Sequence, residues 1–148
     1  MKHFRSIGLA LVATFAVSQA GAQELTGTLK NIKDTGAITL GFRDSSIPFS
    51  YLDDNQKPVG FAMDLCARIV DAVKRELKLP GLQTRLQPIQ LATQIPLIEN
   101  GTIDIVCGPA TNTLERQKVV AFSNTIFVSS IRAVVAKDAP IRRFEDLG

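Results

Sequence analysis

Two arginines stand at positions where they could hold an anion together. Arg43 follows an apolar run that is typical of a strand, and Arg116 lies near the start of a short predicted helix. A guanidinium group keeps its charge and can hold a carboxylate through two parallel hydrogen bonds. The hydroxyl groups of Ser45 and Thr111 lie close to these arginines in the chain and supply further donors. From the residues alone, we predict a site for a small anion.

The sequence offers few groups for catalysis or metal binding. The only histidine, His3, lies in a segment that we expect to be removed on export, so the mature chain has no imidazole. That excludes Ser-His-Asp and Cys-His catalysis and every His-based metal site. Asp64 and Asp104 could form an acid–base pair, but we interpret Asp64 as a first-turn helix residue and Asp104 as a neighbour of a strand start. We predict no catalytic residue, no metal site and no cofactor.

Charge and composition favour a globular domain that does not bind nucleic acid. The 148 residues include 17 Lys and Arg against 14 Asp and Glu, and two of the positive charges lie in the segment expected to be removed. No long run of lysine or arginine provides an electrostatic surface for nucleic acid. Hydrophobic residues make up 45% and charged residues 21%, which is ordinary for a domain with one core.

The first 22 residues have the three parts of a secretory signal peptide. A positively charged start is followed by an uncharged apolar run at 7–17 and by the small residues Ala-Gly-Ala at 20–22. The apolar run is much shorter than the roughly 20 residues needed to span a membrane. We therefore predict cleavage before Gln23 and a periplasmic location.

Apolar periodicity predicts alternating strands and helices after a polar lead-in at 23–33. The predicted strands are 37–43, 82–89 and 103–107; the predicted helices are 61–77, 93–99 and one beginning near Thr113, with Asn112 and Glu115 as a capping box; residues 126–128 and 131–136 are expected to be extended. The order β-α-β-α-β implies an α/β fold with parallel strands and helices on the faces of the sheet. Ligands of such sheets bind beyond the carboxyl ends of the strands, which places residues 43–46, 89–94 and 107–116 at one edge.

The two cysteines leave two interpretations open. Cys66 and Cys107 are 41 residues apart, which fits no zinc-binding spacing. Outside the cytoplasm they could form a disulfide. Cys66, however, lies on the apolar face of a predicted helix, where a buried free thiol is common. We favour two free thiols.

Several short motifs together resemble the polar amino-acid-binding proteins of ABC importers, solute-binding protein family 3, and most of all its glutamate/aspartate-binding members. The motifs occupy residues 41–51, 60–61 with 64–65, 95–104, 111–117 and 121–123. They occur in the family's order and spacing, and the resemblance covers residues 30–148.

The resemblance implies a two-lobed, hinge-closing fold of the type II periplasmic-binding-protein class. Residues 1–22 would be the signal peptide, 23–131 lobe 1, and 132–148 the hinge and the start of a truncated lobe 2. Such a protein captures an amino acid and delivers it to the membrane permease of an ABC transporter. The alternatives are a dehydratase-like enzyme on the same fold and the ligand-sensing domain of a receptor. The absence of histidine from residues 23–148 favours binding over catalysis.

The resemblance also assigns roles to individual residues. Arg116 matches the family arginine that grips the α-carboxylate, and Thr111 matches the hydroxyl residue beside it. Pro109 would offer its backbone carbonyl to the α-ammonium. Arg43 matches the arginine that faces the side-chain carboxylate in glutamate/aspartate-binding members.

Two positions of this site depart from the glutamate/aspartate-binding pattern. Leu91 stands in place of a serine, and Gln94 stands where a second arginine would face the acidic side chain. Because Arg43 still favours an acidic ligand, the prediction is glutamate or aspartate first, and glutamine or asparagine next.

Overall fold

A central strand with a parallel neighbour on each side organises the protein, as seen in a computed structural model that describes residues 24–130 and 132–147. The predicted signal peptide at 1–22 lies outside the described residues. In chain order the elements are α1 (Gly27–Thr35), β1 (Ala37–Phe42), β2 (Ser45–Ser46), β3 (Ser50–Leu52), β4 (Pro58–Val59), α2 (Phe61–Glu76), β5 (Gln83–Pro88), α3 (Gln94–Glu99), β6 (Ile105–Cys107), α4 (Leu114–Gln117) and a 3-10 helix at Phe144–Leu147.

The parallel sheet has the strand order β5-β1-β6, which confirms the predicted β-α-β-α-β topology. All of β1 except Thr39 is buried, as expected for a central strand covered on both faces. Phe42, the last residue of β1, pairs in register with Pro88 and with Cys107. The carboxyl ends of the three strands therefore meet at one edge of the sheet, where the sequence places the candidate site.

Asp104 extends the pairing between β1 and β6. Its Oδ2 accepts a hydrogen bond from the backbone N–H of Thr39 at 2.8 Å, and its own N–H donates to the Thr39 carbonyl at 2.9 Å. The interpretation of Asp104 as a residue beside a strand start is therefore confirmed.

The predicted long helix is α2, which packs one face against the sheet. Its buried side chains are Ala62, Cys66 and Val70, spaced four residues apart, and they meet a core that includes Ile38 and Leu40. Burial of this stripe stabilises the helix, since each fully buried aliphatic side chain contributes about 1.5–3 kcal/mol.

The expectation of free thiols is wrong. Cys66 and Cys107 form a disulfide, with their Cα atoms 6.0 Å apart, and the described residues contain no free cysteine. The apolar face of α2 lies directly against the last residue of β6, so the face that suggested a buried thiol is the one that brings the two sulfurs together. The bond fastens the middle of α2 to the strand end from which the candidate site begins.

One further segment differs from the sequence predictions. The supposed polar lead-in at 23–33 is largely the helix α1, which runs to Thr35 and ends at Gly36 with φ 65°. Ile32 is the one buried side chain of α1, so the segment lacks the apolar periodicity that would reveal a helix. Residues 126–128 and 131–136 are predicted to be extended; those of them that the structure describes form neither helix nor strand, and Val128 and Val134 are exposed.

The part of the chain that connects β1 to α2 forms a small antiparallel sheet with the strand order β2-β3-β4. The turn between β3 and β4 is stabilised by Asp53, whose Oδ1 accepts hydrogen bonds from the backbone N–H groups of Asn55 and Lys57, at 2.9 and 2.8 Å. None of the helices formed by residues 24–130 and 132–147 is long and apolar enough to cross a membrane.

Candidate ligand-binding site

The ends of β1 and β6 bring Arg43 and Gly108 together. Arg43 is the residue after β1, and Gly108 and Pro109 follow β6. A Cβ added to Gly108 would lie 3.2 Å from Cγ of Arg43, so the backbone after β6 packs closely on the Arg43 side chain. Arg43 is thus adjacent to Gly108, the residue directly before Pro109 in the chain.

The backbone of Arg43 is fixed by Ser50, the first residue of β3. Ser50 is fully buried; its Oγ donates to the Arg43 carbonyl and accepts from the Arg43 N–H, each at 2.9 Å. The side chain of Arg43 is partly buried, and its Nε has no hydrogen-bond partner within the part of the chain that the structure describes. The backbone of Arg43 is therefore fixed at the sheet edge, and Nε of its guanidinium group can still donate a hydrogen bond.

The loop that follows β6 fixes the side chain and the backbone of Arg116. Its Nη1 donates to the carbonyl of Thr111 at 2.9 Å, and its backbone N–H donates to Oγ1 of Thr113 at 3.3 Å. Thr113 is thus the N-cap of α4, one residue later than the predicted cap at Asn112, whose Oδ1 accepts from Nε2 of Gln117 instead. Arg116 is partly buried and Thr111 is exposed.

Gln94 is buried at the first position of α3, just after the end of β5. It is 0% exposed, yet neither Oε1 nor Nε2 has a hydrogen-bond partner among residues 24–130 and 132–147. A buried polar group without a partner costs about 1–3 kcal/mol. Leu91, in the turn before α3, is 58% exposed.

Within the described residues the candidate site combines guanidinium, amide and backbone groups, without an acid–base pair. No group of three or more His, Cys, Asp or Glu residues in that part of the chain could hold a metal ion. Asp104 is hydrogen-bonded to backbone, and Asp64 lies exposed in the first turn of α2, as predicted. The arrangement is suited to holding an anionic or polar molecule by hydrogen bonds.

The sequence did not reveal two features of this edge. One is Ser50, which bonds to the backbone of Arg43 because the chain turns back within seven residues. The other is an aromatic cluster in which the ring of Phe49 makes edge contacts with Phe61 and Phe127, at centroid distances of 6.4 and 4.9 Å. The pairing of β3 with β4 and the start of α2 place Phe61 near Phe49, but no local pattern predicts the contact with Phe127.

The fold and the site together define one class of protein: an α/β ligand-binding lobe, with polar side chains gathered beyond the carboxyl ends of parallel strands. A family comparison agrees. The chain belongs to the bacterial extracellular solute-binding proteins, family 3, whose model matches residues 38–146.

Individual relatives point the same way. The chain is 51% identical over 142 residues to an L-glutamate/L-aspartate-binding protein of Pseudomonas aeruginosa, covering 95% of this chain and 47% of the relative. It spans about half the length of the curated relatives that it matches most strongly. The periplasmic-binding-protein-like class predicted from the sequence is confirmed by this membership and by the solved structures that follow.

Two solved structures share the fold. A point mutant of domain 1 from TmArgBP of T. maritima, in its arginine-bound form, has a TM-score of 0.57 and 30% identity, covering 67% of this chain and 71% of that one. An ancestral amino-acid-binding protein, described as a precursor of cyclohexadienyl dehydratase, has a TM-score of 0.54 and 33% identity, covering 67% of this chain and 41% of that one.

Proposed function

We propose that this chain is the first-lobe portion of an exported solute-binding protein that captures glutamate, aspartate or a related polar amino acid for an ABC importer. Residues 1–22 serve as the signal peptide, 23–131 form lobe 1, and 132–148 form the hinge and the start of lobe 2. The observation that carries the proposal is the placement of two partly buried arginines, Arg43 and Arg116, beyond the ends of neighbouring strands.

The proposed roles follow from the chemistry of each group. Arg116, oriented by the Thr111 carbonyl, binds the α-carboxylate, and the exposed hydroxyl of Thr111 adds a hydrogen bond. The carbonyl of Pro109 accepts from the α-ammonium. Arg43, whose backbone is held by Ser50, binds the side-chain carboxylate. Gln94 contributes its amide beside Arg43.

The choice of ligand is supported by the relatives. The P. aeruginosa protein at 51% identity is an L-glutamate/L-aspartate-binding protein, and the Escherichia coli relative at 45% identity is a glutamate/aspartate import solute-binding protein. Delivery to the membrane permease of an ABC transporter and a periplasmic location are proposed on the same basis. The proposal includes neither a nucleic-acid partner nor a cofactor.

An enzyme on the same fold is the second candidate, because one solved relative is described as a precursor of a dehydratase. The described residues favour binding instead. The two carboxylates considered for acid–base chemistry are either tied to the backbone of β1, as Asp104 is, or exposed on a helix, as Asp64 is. Three curated relatives are named as binding proteins for glutamate and aspartate, and two of these three are named as import solute-binding proteins.

Calorimetry and NMR on the intact protein test this function. We expect L-glutamate or L-aspartate to bind with a dissociation constant in the micromolar range or tighter, about −8 kcal/mol. Proton NMR of the same mixtures should show the amino acid unchanged after prolonged incubation. Absence of binding by any polar amino acid would contradict the proposal, and chemical conversion of the ligand would favour the enzyme.

A further inference from the structure

We infer that the disulfide between Cys66 and Cys107 positions the ligand site: it holds the backbone after β6 against Arg43, so that the protein without this bond stays folded but binds the amino acid more weakly. The inference rests on the proposed function, since it concerns the same site. Its evidence is the place of Cys107 at the end of β6 and the way in which the chain after β6 is attached to the rest of the protein.

Cys107 is the residue from which the loop after β6 starts. It is the last residue of β6 and pairs in register with Phe42, the residue directly before Arg43. The next residue, Gly108, packs on the Arg43 side chain, since an added Cβ would lie 3.2 Å from its Cγ. Residues 108–113 then form neither helix nor strand. A shift of Cys107 against Phe42 would therefore alter the contact between this loop and Arg43.

The segment at 111–120 has few other attachments among the described residues. Strand β6, which precedes it, has three residues and pairs with β1 alone in that part of the chain. The hydrogen bonds of the segment join its own residues to one another, as the bond from Nη1 of Arg116 to the Thr111 carbonyl does. Val120 is the one buried side chain of the segment. These bonds fix the shape of the segment, whereas its place beside β1 depends on the end of β6.

Helix α2, to which the disulfide leads, is fixed to the other side of the site. The N–H groups of residues 61–62, where α2 begins, donate to the carbonyls of residues 48–49 at 3.0 and 2.8 Å. Ser50 follows directly, and its hydroxyl holds the backbone of Arg43. The disulfide therefore closes a ring of connections that runs from Arg43 through Ser50 and α2 to the end of β6 and back to Arg43.

The position of the bond in the core determines what its loss should do. Cys66 is 4% exposed and Cys107 is 1% exposed, and both belong to the main apolar cluster. The apolar contacts around them remain when the bond is removed, so the fold should persist. The end of a three-residue strand would nevertheless separate from its neighbour more often. A cross-link that keeps a loop in its binding conformation raises affinity, because less conformational freedom is lost when the ligand binds.

The experiment measures the dissociation constant for L-glutamate by calorimetry on the intact protein, at a temperature at which every variant is folded. Cys66→Ala combined with Cys107→Ala should raise this constant at least about tenfold. Leu77→Ala is the matched control, because it truncates a buried side chain of the same cluster at the far end of α2, at a comparable cost in stability. It should change the constant less than about threefold, since it leaves the end of β6 untouched.

NMR relaxation distinguishes loss of position from loss of stability. In the double alanine variant, the backbone amides of Arg43 and Gly108 should show exchange on the microsecond to millisecond timescale. In Leu77→Ala and in the unaltered protein, the same amides should show none.

The outcomes separate this inference from the proposed function. If glutamate binds the unaltered protein and the double variant equally well, or if Leu77→Ala weakens binding as much as the double variant does, the positioning role is overturned while the proposed function stands. If no polar amino acid binds the unaltered protein, both fail. Should the double variant not fold, relaxation in the unaltered protein decides: exchange at Arg43 and Gly108 that disappears when glutamate is added would overturn the inference.

Discussion

Ser50 and Arg43 exchange two hydrogen bonds through a single hydroxyl group. The Ser50 Oγ accepts from the Arg43 N–H and donates to the Arg43 carbonyl, both at 2.9 Å, and the serine is completely buried. These two bonds join Arg43, the residue after β1, to the first residue of β3, in the way that a hydrogen-bonded pair of residues joins two strands. These hydrogen bonds fix the backbone from which the Arg43 side chain starts.

Ser50→Ala should lower the free energy of unfolding by about 1–3 kcal/mol, because it leaves the N–H and the carbonyl of Arg43 unpaired. It should also weaken glutamate binding by about tenfold, or 1.4 kcal/mol. Denaturant unfolding and calorimetry measure the two effects. The control is Ser123→Ala at an exposed position, which should change stability by less than about 0.5 kcal/mol. Unchanged affinity in folded Ser50→Ala would show that Arg43 does not depend on Ser50.

Arg116→Ala should abolish detectable amino-acid binding while leaving the fold intact. Loss of one partner from a buried ion pair costs about 3–5 kcal/mol, since the ligand carboxylate would be left without its cation. Lys118→Ala is a suitable control, because Lys118 is an exposed cation of the residues following α4 that pairs with Glu115. An affinity for glutamate within threefold of the unaltered protein would exclude Arg116 from the site.

Replacing both Cys66 and Cys107 by alanine should destabilise the protein by about 4 kcal/mol, the loop-closure value for a cross-link over 41 residues. Guanidinium unfolding with and without a reducing agent measures the effect. The reducing agent should lower the stability of the unaltered protein and leave the double variant unchanged. Equal sensitivity of both proteins would mean that the disulfide contributes nothing to stability.

Gly60→Ala should destabilise the start of α2. Gly60 has φ 122°, and an added Cβ would lie 2.6 Å from the carbonyl oxygen of Phe49, which itself accepts a hydrogen bond from the N–H of Ala62. Strain of this kind costs about 1–3 kcal/mol, and the steric overlap adds to it. Gly81→Ala is the comparison, because a Cβ there would have no atom within 4 Å and the free energy of unfolding should hardly change. Similar melting temperatures for the two variants would contradict the prediction.

The sequence predicted the elements with strong periodicity and failed where packing decides. The stripe of apolar residues on α2 and the apolar run of β1 carry their own signal, and both were predicted nearly to the residue. The polar helix α1 has one buried side chain and carries no such signal. Likewise, whether Cys66 reaches Cys107 depends on how α2 lies on β6, which is a distance that no local pattern contains.

The candidate site was predicted to a similar extent. Residue type and the topology rule for parallel sheets placed Arg43, Arg116 and Gln94 at one edge. In the structure Arg43 follows β1, Gln94 begins α3 after β5, and Arg116 lies in α4 after β6, so each comes after a strand of the same sheet. The supports of these side chains were not predicted. The Ser50 hydroxyl bonds to the Arg43 backbone because the chain turns back after β1. Arg116 is held by the backbone carbonyl of Thr111, a group that any residue could supply.

The central position of β1 also determines which backbone amides can exchange with deuterium. Strand β1 is hydrogen-bonded on both sides, to β5 and to β6, whereas the residues of β5 are exposed along its whole length. The N–H groups of β1 that point to either side have a strand to bond to, and the strand is largely buried, so its amides should exchange most slowly, close to the rate set by global unfolding. The backbone immediately before Arg43 is therefore part of the slowest-opening unit of the lobe. A ligand would therefore bind at a sheet edge whose backbone is already ordered. Ordering of the backbone would reduce the binding free energy only slightly.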